Sequence, residues 1–244
     1  VAPGFGSVTP IGNAYVNSTS ARVTLTLSEA LSAGRIKYTA QTGNNGESSG
    51  TPRIKNLSGA ELTTISPTSQ NLTVAGLVDG NIYNLNVTGT DVAGNASSLA
   101  YVNISYDTTN PNFGSVTPNG DSYIDSTTRK VVFNTSEQLS TGEVKYVRTG
   151  GGSDTGGSPA GTHSHTMVGN ELNDGAQEID LGNVLKDGVT YSLTLGGTDL
   201  SGNSASVVRS NVTYDNTKPD FGSVTPLAGA KIKTSTRKVN YTLS

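Results

Sequence analysis

The sequence predicts an all-β chain: a string of antiparallel β-sandwiches of about 108 residues each, two complete plus the start of a third. Three observations predict it. First, "YDTTNPNFGSVTP" at Tyr106–Pro118 returns almost unchanged 108 positions later as "YDNTKPDFGSVTP" at Tyr214–Pro226, and a clipped copy, "APGFGSVTP", stands at Ala2–Pro10. Second, apolar and polar residues alternate with the period of a pleated strand that has one buried face. Third, turn signals such as "NNG", "VDG", "AGN" and "PNG" separate these runs, and no long segment carries a helical period.

A shift of 108 superposes the landmarks without a gap: "LSEALSAGRIKYT" (Leu27–Thr39) lies over "TSEQLSTGEVKYV" (Thr135–Val147), and "LVDGNIYNLNVTGTDVAGN" (Leu77–Asn95) over "LKDGVTYSLTLGGTDLSGN" (Leu185–Asn203). The chain accordingly divides into the end of a preceding linker (residues 1–4), repeat 1 (5–110), repeat 2 (111–218) and strands A and B of a third repeat (219–244). Ser244 falls where Ser28 and Ser136 stand, so the third copy stops after strand B, and the chain reads as a segment of something longer. Repeats that contact only their neighbours build a quasi-one-dimensional array.

Taken in order, strand A opens after each linker proline, where Phe113 and Phe221 are expected to start it in the core rather than pack against the preceding sandwich. In "ARVTLTLS", Val23, Leu25 and Leu27 point one way and Thr24 and Thr26 the other. "RIKYT" sets Lys37 between Ile36 and Tyr38, hence toward solvent. "YNLNVTG" turns Tyr83, Leu85 and Val87 inward, and "YVNISYD" is expected to do the same with Val102, Ile104 and Tyr106. A leucine, a glycine turn and a tyrosine precede that long strand in both repeats, which predicts a tyrosine corner at Tyr83 and Tyr191, ring in the core and hydroxyl reaching back to the turn.

Composition narrows the function. Net charge is −3, Lys and Arg are scattered, and no basic surface calls for nucleic acid or anionic lipid. No run approaches the roughly 18 apolar residues needed to cross a bilayer, and Val1 does not begin a signal peptide. There are no cysteines, so neither disulfides nor thiolate metal sites arise.

Together, "SE-x-L-S-x-G-x-x-K-Y" (from Ser28 and Ser136), "L-x-D-G-x-x-Y" (from Leu77 and Leu185), "T-D-x-x-G-N" (from Thr90 and Thr198) and "Y-D-x-T-x-P" (from Tyr106 and Tyr214) resemble the bacterial Ig-like (Big-type) tandem repeats of large extracellular surface proteins and adhesins. The resemblance spans essentially the whole chain. It implies Ig-like or fibronectin-III-like sandwiches strung in long arrays at the cell surface, a shared architecture whose members differ in what they bind.

In that topology the turns after strands B and F return to the pole where the chain enters. Asp107, Glu137, Asp199 and Asn203 are therefore expected to converge across the first joint, with Asp215, Glu29 and Asp91 at equivalent, weaker positions. Carboxylates crowded together repel unless a cation joins them, and Ca²⁺ accepts six to eight such oxygens in flexible geometry. Relatives in surface arrays often stiffen their joints in this way, so the resemblance implies interdomain calcium. The competing expectation is turn capping: the aspartates of "TDxxGN" and "YDxT" accept backbone N–H bonds. The two stand level for Asp199, and capping is favoured for Glu137. Pro111 and Pro219 stiffen the linker by fixing φ and restricting the residue before them.

No catalytic pattern emerges, and the chain is expected not to be an enzyme. His163 and His165 in "THSHT" share a strand face, which suits a transition metal, but an incidental surface pair is the favoured expectation. "TGGGSDTGGSP" (Thr149–Pro159) reads as a flexible loop, since it does not lead a strand into a helix as a phosphate cradle does. A Lys–Asn isopeptide cross-link through Lys37 or Lys145 is disfavoured by the outward setting of Lys37. Several N-x-S/T sequons occur, Asn103 and Asn211 among them.

The function expected is therefore a non-catalytic stalk or spacer of a cell-surface adhesin. Alternatives are a subunit of an extracellular filament, sheath or surface layer, in which other copies are partners, and a carbohydrate-binding module. The last needs a row of exposed aromatics and suffers from the absence of tryptophan.

Overall fold

A computed structural model describes residues 1–41, 45–233 and 237–243; Asn44 of the "NNG" turn and Ser244 lie outside the described residues. The first sandwich comprises β1 (Phe5–Thr9), β2 (Tyr15–Val16), β3 (Val23–Leu27), β4 (Leu31–Ala40), β5 (Pro52–Asn56), β6 (Gln70–Leu72), β7 (Asn81–Asp91) and β8 (Ala96–Tyr106). The strands form a three-stranded sheet, β1-β3-β6, and a five-stranded sheet, β2-β8-β7-β4-β5. The second repeats this plan with β9 (Phe113–Thr117), β10 (Tyr123–Ile124), β11 (Val131–Thr135), β12 (Leu139–Gly151), β13 (Thr162–Thr166), β14 (Gly175–Ile179), β15 (Val189–Asp199) and β16 (Ser204–Tyr214). Its sheets are β14-β11-β9 and β10-β16-β15-β12-β13. Finally, β17 (Phe221–Thr225) pairs with β18 (Asn240–Leu243).

Not every pairing is antiparallel. After β1 the chain crosses between sheets, so that β2 runs parallel to β8, and β10 likewise to β16. Each eight-strand unit encloses its own apolar core, one running from Val8 to Ile104 and the other from Phe113 to Tyr214. Val23, Leu25, Leu27, Tyr83, Leu85 and Val87 are fully buried, as their alternation requires. Phe113 enters the second core edge-on to Phe133, at 6.0 Å between ring centroids. Phe221 differs: it packs on Tyr241 yet stays 60% exposed, because two strands alone bury little.

Val102 corrects the alternation. It points outward, half exposed, because β8 bulges there: Tyr83 faces Ile104 and Leu85 faces Tyr101, so two residues oppose one. Asn103 supplies the left-handed backbone (φ 60°) that the bulge needs. Its amide donates to Asn13 Oδ1 and accepts from Gln41 Nε2. Asn211 (φ 58°) repeats the device in β16, donating to Asp121 Oδ1, and Ser210 takes the outward place that Val102 holds in β8.

Both tyrosine corners are present. The Val78 N–H donates to Tyr83 Oη at 2.8 Å, and the Lys186 N–H to Tyr191 Oη at 2.9 Å. Each ring meets a second buried tyrosine edge-on at 5.9 Å, Tyr38 and Tyr146 respectively. Each hydroxyl in turn donates to a buried carboxylate, Glu47 in the first sandwich and Asp154 in the second. Tyr191→Phe leaves the Lys186 N–H and Asp154 each short of a partner. It is expected to cost about 1–2 kcal/mol, read from urea unfolding.

The histidines and the glycine-rich loop depart from expectation together. His163 is buried, its Nε2 at 2.7 Å from Asp154 Oδ2, whereas Nε2 of His165 binds Glu171 at 2.9 Å. The pair therefore serves two separate carboxylates and is not an incidental surface feature. The loop closes over this buried group. A Cβ on Gly157 (φ +77°) would lie 1.7 Å from the Thr162 carbonyl, so glycine is required there by close approach. Arg148 holds the same loop through the carbonyls of Gly151 and Gly152. The glycines permit this tight packing.

Candidate cation site at the joint between the sandwiches

Three segments supply the site. Asp107 follows β8 and remains in register with it, since its N–H donates to the Val16 carbonyl at 3.0 Å. Glu137 sits in the turn between β11 and β12. Asp199 ends β15 and is buried, with Asn203 in the turn that follows. Asp107 thus comes from the trailing end of one sandwich, and the other residues from the leading turns of the next.

Oxygens of Asp107, Glu137 and Asp199 all lie within 4.8 Å of one another. Asn203 bridges the two sandwiches: its Nδ2 donates to the Asp107 carbonyl at 3.0 Å and to Asp199 Oδ2 at 2.8 Å. A crevice of about 270 Å³ adjoins the cluster, bounded by Tyr15, Ser105, Asp107, Glu137 and Leu200. Burial, then the negative charges of Asp107 and Asp199, push the Glu137 carboxyl up to about 7. Asp107 is raised as well, by burial first and then by Asp199 and Asp79. A set of hard oxygen donors under mutual repulsion has the chemistry that holds Ca²⁺, whose remaining ligand positions water or backbone carbonyls fill.

Capping and clustering coincide in Asp199, whose Oδ1 accepts from the Ser201 and Asn203 N–H groups at 2.7 and 2.9 Å. Glu137 departs from the capping expectation. Thr135 caps that turn through its hydroxyl, while the Glu137 carboxyl lies with those of Asp107 and Asp199. Asp91 makes the same cap as Asp199, accepting the N–H and Nδ2–H of Asn95, both at 2.8 Å. Asp215 is exposed and accepts from the Thr217 N–H, and Glu29 is half-buried. Among the described residues, none of Asp91, Asp215 and Glu29 joins a second acidic cluster.

Asp79 and Asp187 escaped the sequence reading. Asp79 Oδ1 accepts from the Thr108 N–H at 2.5 Å and the Thr108 hydroxyl at 3.0 Å, and its Oδ2 accepts from the Thr109 hydroxyl at 2.7 Å. Asp187 holds the Asn216 N–H and the Thr217 hydroxyl, each at 2.6 Å. The available signal was the recurrence of Asp in "VDG" and "KDG", which served only to mark a turn.

No protein-family model matches the chain, and no curated protein matches it. Among solved structures it is similar to a 1.5-MDa bacterial ice-binding adhesin, with 14% identity and a TM-score of 0.32 over 93% of this chain and 70% of that one. It is similar also to the FN1–FN3 domains of chicken CNTN1, with 10% identity and a TM-score of 0.33 over 86% and 68%. A Ca²⁺-stabilized adhesin that helps an Antarctic bacterium bind ice gives 13% identity and a TM-score of 0.31, over 93% of this chain and 52% of that one.

Proposed function

We propose that the chain is a non-catalytic spacer segment of a long extracellular repeat protein of the adhesin kind, with calcium bracing the joint between its sandwiches. The observation that carries this reading is the meeting of Asp107, Glu137 and Asp199 within 4.8 Å, drawn from both sides of the joint. A cation there ties the end of one sandwich to the start of the next, and repetition of such a joint transmits one geometry along an array.

The test is a calcium titration of the chain, with melting temperature and small-angle scattering as readouts. A ligand at about 100 times its Kd adds roughly 2.7 kcal/mol to the state that binds it. Calcium should therefore raise the melting temperature and narrow the range of shapes in solution. No change in either removes the cation from the joint.

The pH dependence has a defined sign. Glu137 is raised in the folded protein, so in chelator its contribution is complete below the usual carboxylate value and is lost as pH rises through about 7. Calcium takes the place of that proton. Melting curves from pH 5 to 8 should fall with rising pH in chelator and flatten when calcium is added.

A further inference from the structure

We infer that Asp79, and Asp187 at the following joint, are positioning residues that lock the outgoing linker to the sandwich it leaves, without any cation. Three hydrogen bonds hold Thr108 and Thr109 on Asp79, and Asp107 Oδ1 accepts the Thr109 N–H at 2.9 Å. Through Thr109 the chain therefore belongs to the frame of the first sandwich. The other side is anchored just as closely. The Asn112 N–H donates to Ser136 Oγ at 2.9 Å, the Ser136 N–H donates to the Asn112 carbonyl at 3.0 Å, and Phe113 is buried in the second core.

Between the anchors stand Asn110 and Pro111. The proline ring fixes its own φ, and the residue before a proline is confined to extended backbone. Pro111 is itself buried, whereas Asn110 is exposed. Bending at this joint is thereby concentrated at one restricted residue. The second joint repeats the device with Asp187 on Asn216 and Thr217, and with Asp215 Oδ1 accepting the Thr217 N–H at 3.0 Å. The clamp goes beyond the calcium brace, because its donors are linker amides and hydroxyls.

The test uses the native absence of cysteine. Ser98→Cys on β8 and Ser206→Cys on β16, both exposed positions, carry spin labels on the two sandwiches of the 244-residue chain. In chelator, the distance distribution between the labels should be narrower in the parent chain than in Asp79→Ala or Thr109→Val, with calcium narrowing it further. It should at least double in width with Asp79→Ala and broaden less with Thr109→Val, while hydrogen exchange in β7 stays unchanged. Equal widths for the parent and Asp79→Ala in chelator overturn the clamp. If Asp79→Ala unfolds the first sandwich, Thr109→Val decides alone, and an unchanged width overturns the proposal. Calcium added afterwards probes the brace separately: failure to narrow the Asp79→Ala distribution counts against the cation and leaves the clamp standing.

Discussion

Asp199→Ala is expected to abolish the calcium response of the joint and to cost the second sandwich about 3 kcal/mol. The carboxylate is 1% exposed and accepts three hydrogen bonds, from the Ser201 N–H, the Asn203 N–H and Asn203 Nδ2. Its removal strands those donors in a buried turn, where each unsatisfied group costs roughly 1–3 kcal/mol and water recovers part of the loss. Asp91→Ala removes the matching cap on Asn95 and should destabilise the first sandwich with the calcium response intact. Glu137→Gln separates stability from binding in the opposite sense. Glu137 caps no turn and its ionised form is disfavoured in the folded protein, so in chelator at neutral pH Glu137→Gln should match or exceed the parent's stability while the calcium-induced rise in melting temperature disappears. A full calcium response in Glu137→Gln or Asp199→Ala would sink the cluster as a cation site.

Asp154→Ala carries the other large effect, about 3–4 kcal/mol from the second sandwich. Asp154 Oδ2 meets His163 Nε2 and the Tyr191 hydroxyl, each at 2.7 Å, and Oδ1 accepts the Gly156 N–H at 2.9 Å. Breaking such a buried group by removing one partner is far costlier than removing an exposed ion pair. Burial by itself raises this carboxyl; hydrogen bonds from His163, Tyr191 and Gly156, with the nearby imidazole, outweigh it and hold the group below the usual carboxylate range. Its contribution is therefore present above the unfolded carboxylate pKa and is lost as pH falls through the lower, folded value. Urea unfolding, with hydrogen exchange followed in β15, should show the loss at neutral pH. The acid limb of the stability profile should be shallower in Asp154→Ala than in the parent.

The joint divides similarly between the legible and the hidden. Asp107, Glu137, Asp199 and Asn203 were reachable from the sequence because a recurring motif and a known strand order assign each of them to one joint. What each does there was not. Glu137 leaves its turn to Thr135, and Asp199 serves its own turn and the cluster together. Asp79 escaped notice because the linker it grips lies 29 positions away, and a turn aspartate looks the same with or without such a partner.

Pleat and turn chemistry are local, and that is why the strands, the 108-residue period and both tyrosine corners could be read from the chain alone. Residues two apart share a sheet face wherever the strand ends up. The outward swing of Val102, the burial of His163 on Asp154 and the grip of Asp79 on the linker were settled only by tertiary structure. Each depends on which distant segment arrives opposite a side chain. A bulge changes the face of every residue beyond it, and a buried acid persists only where folding brings it donors.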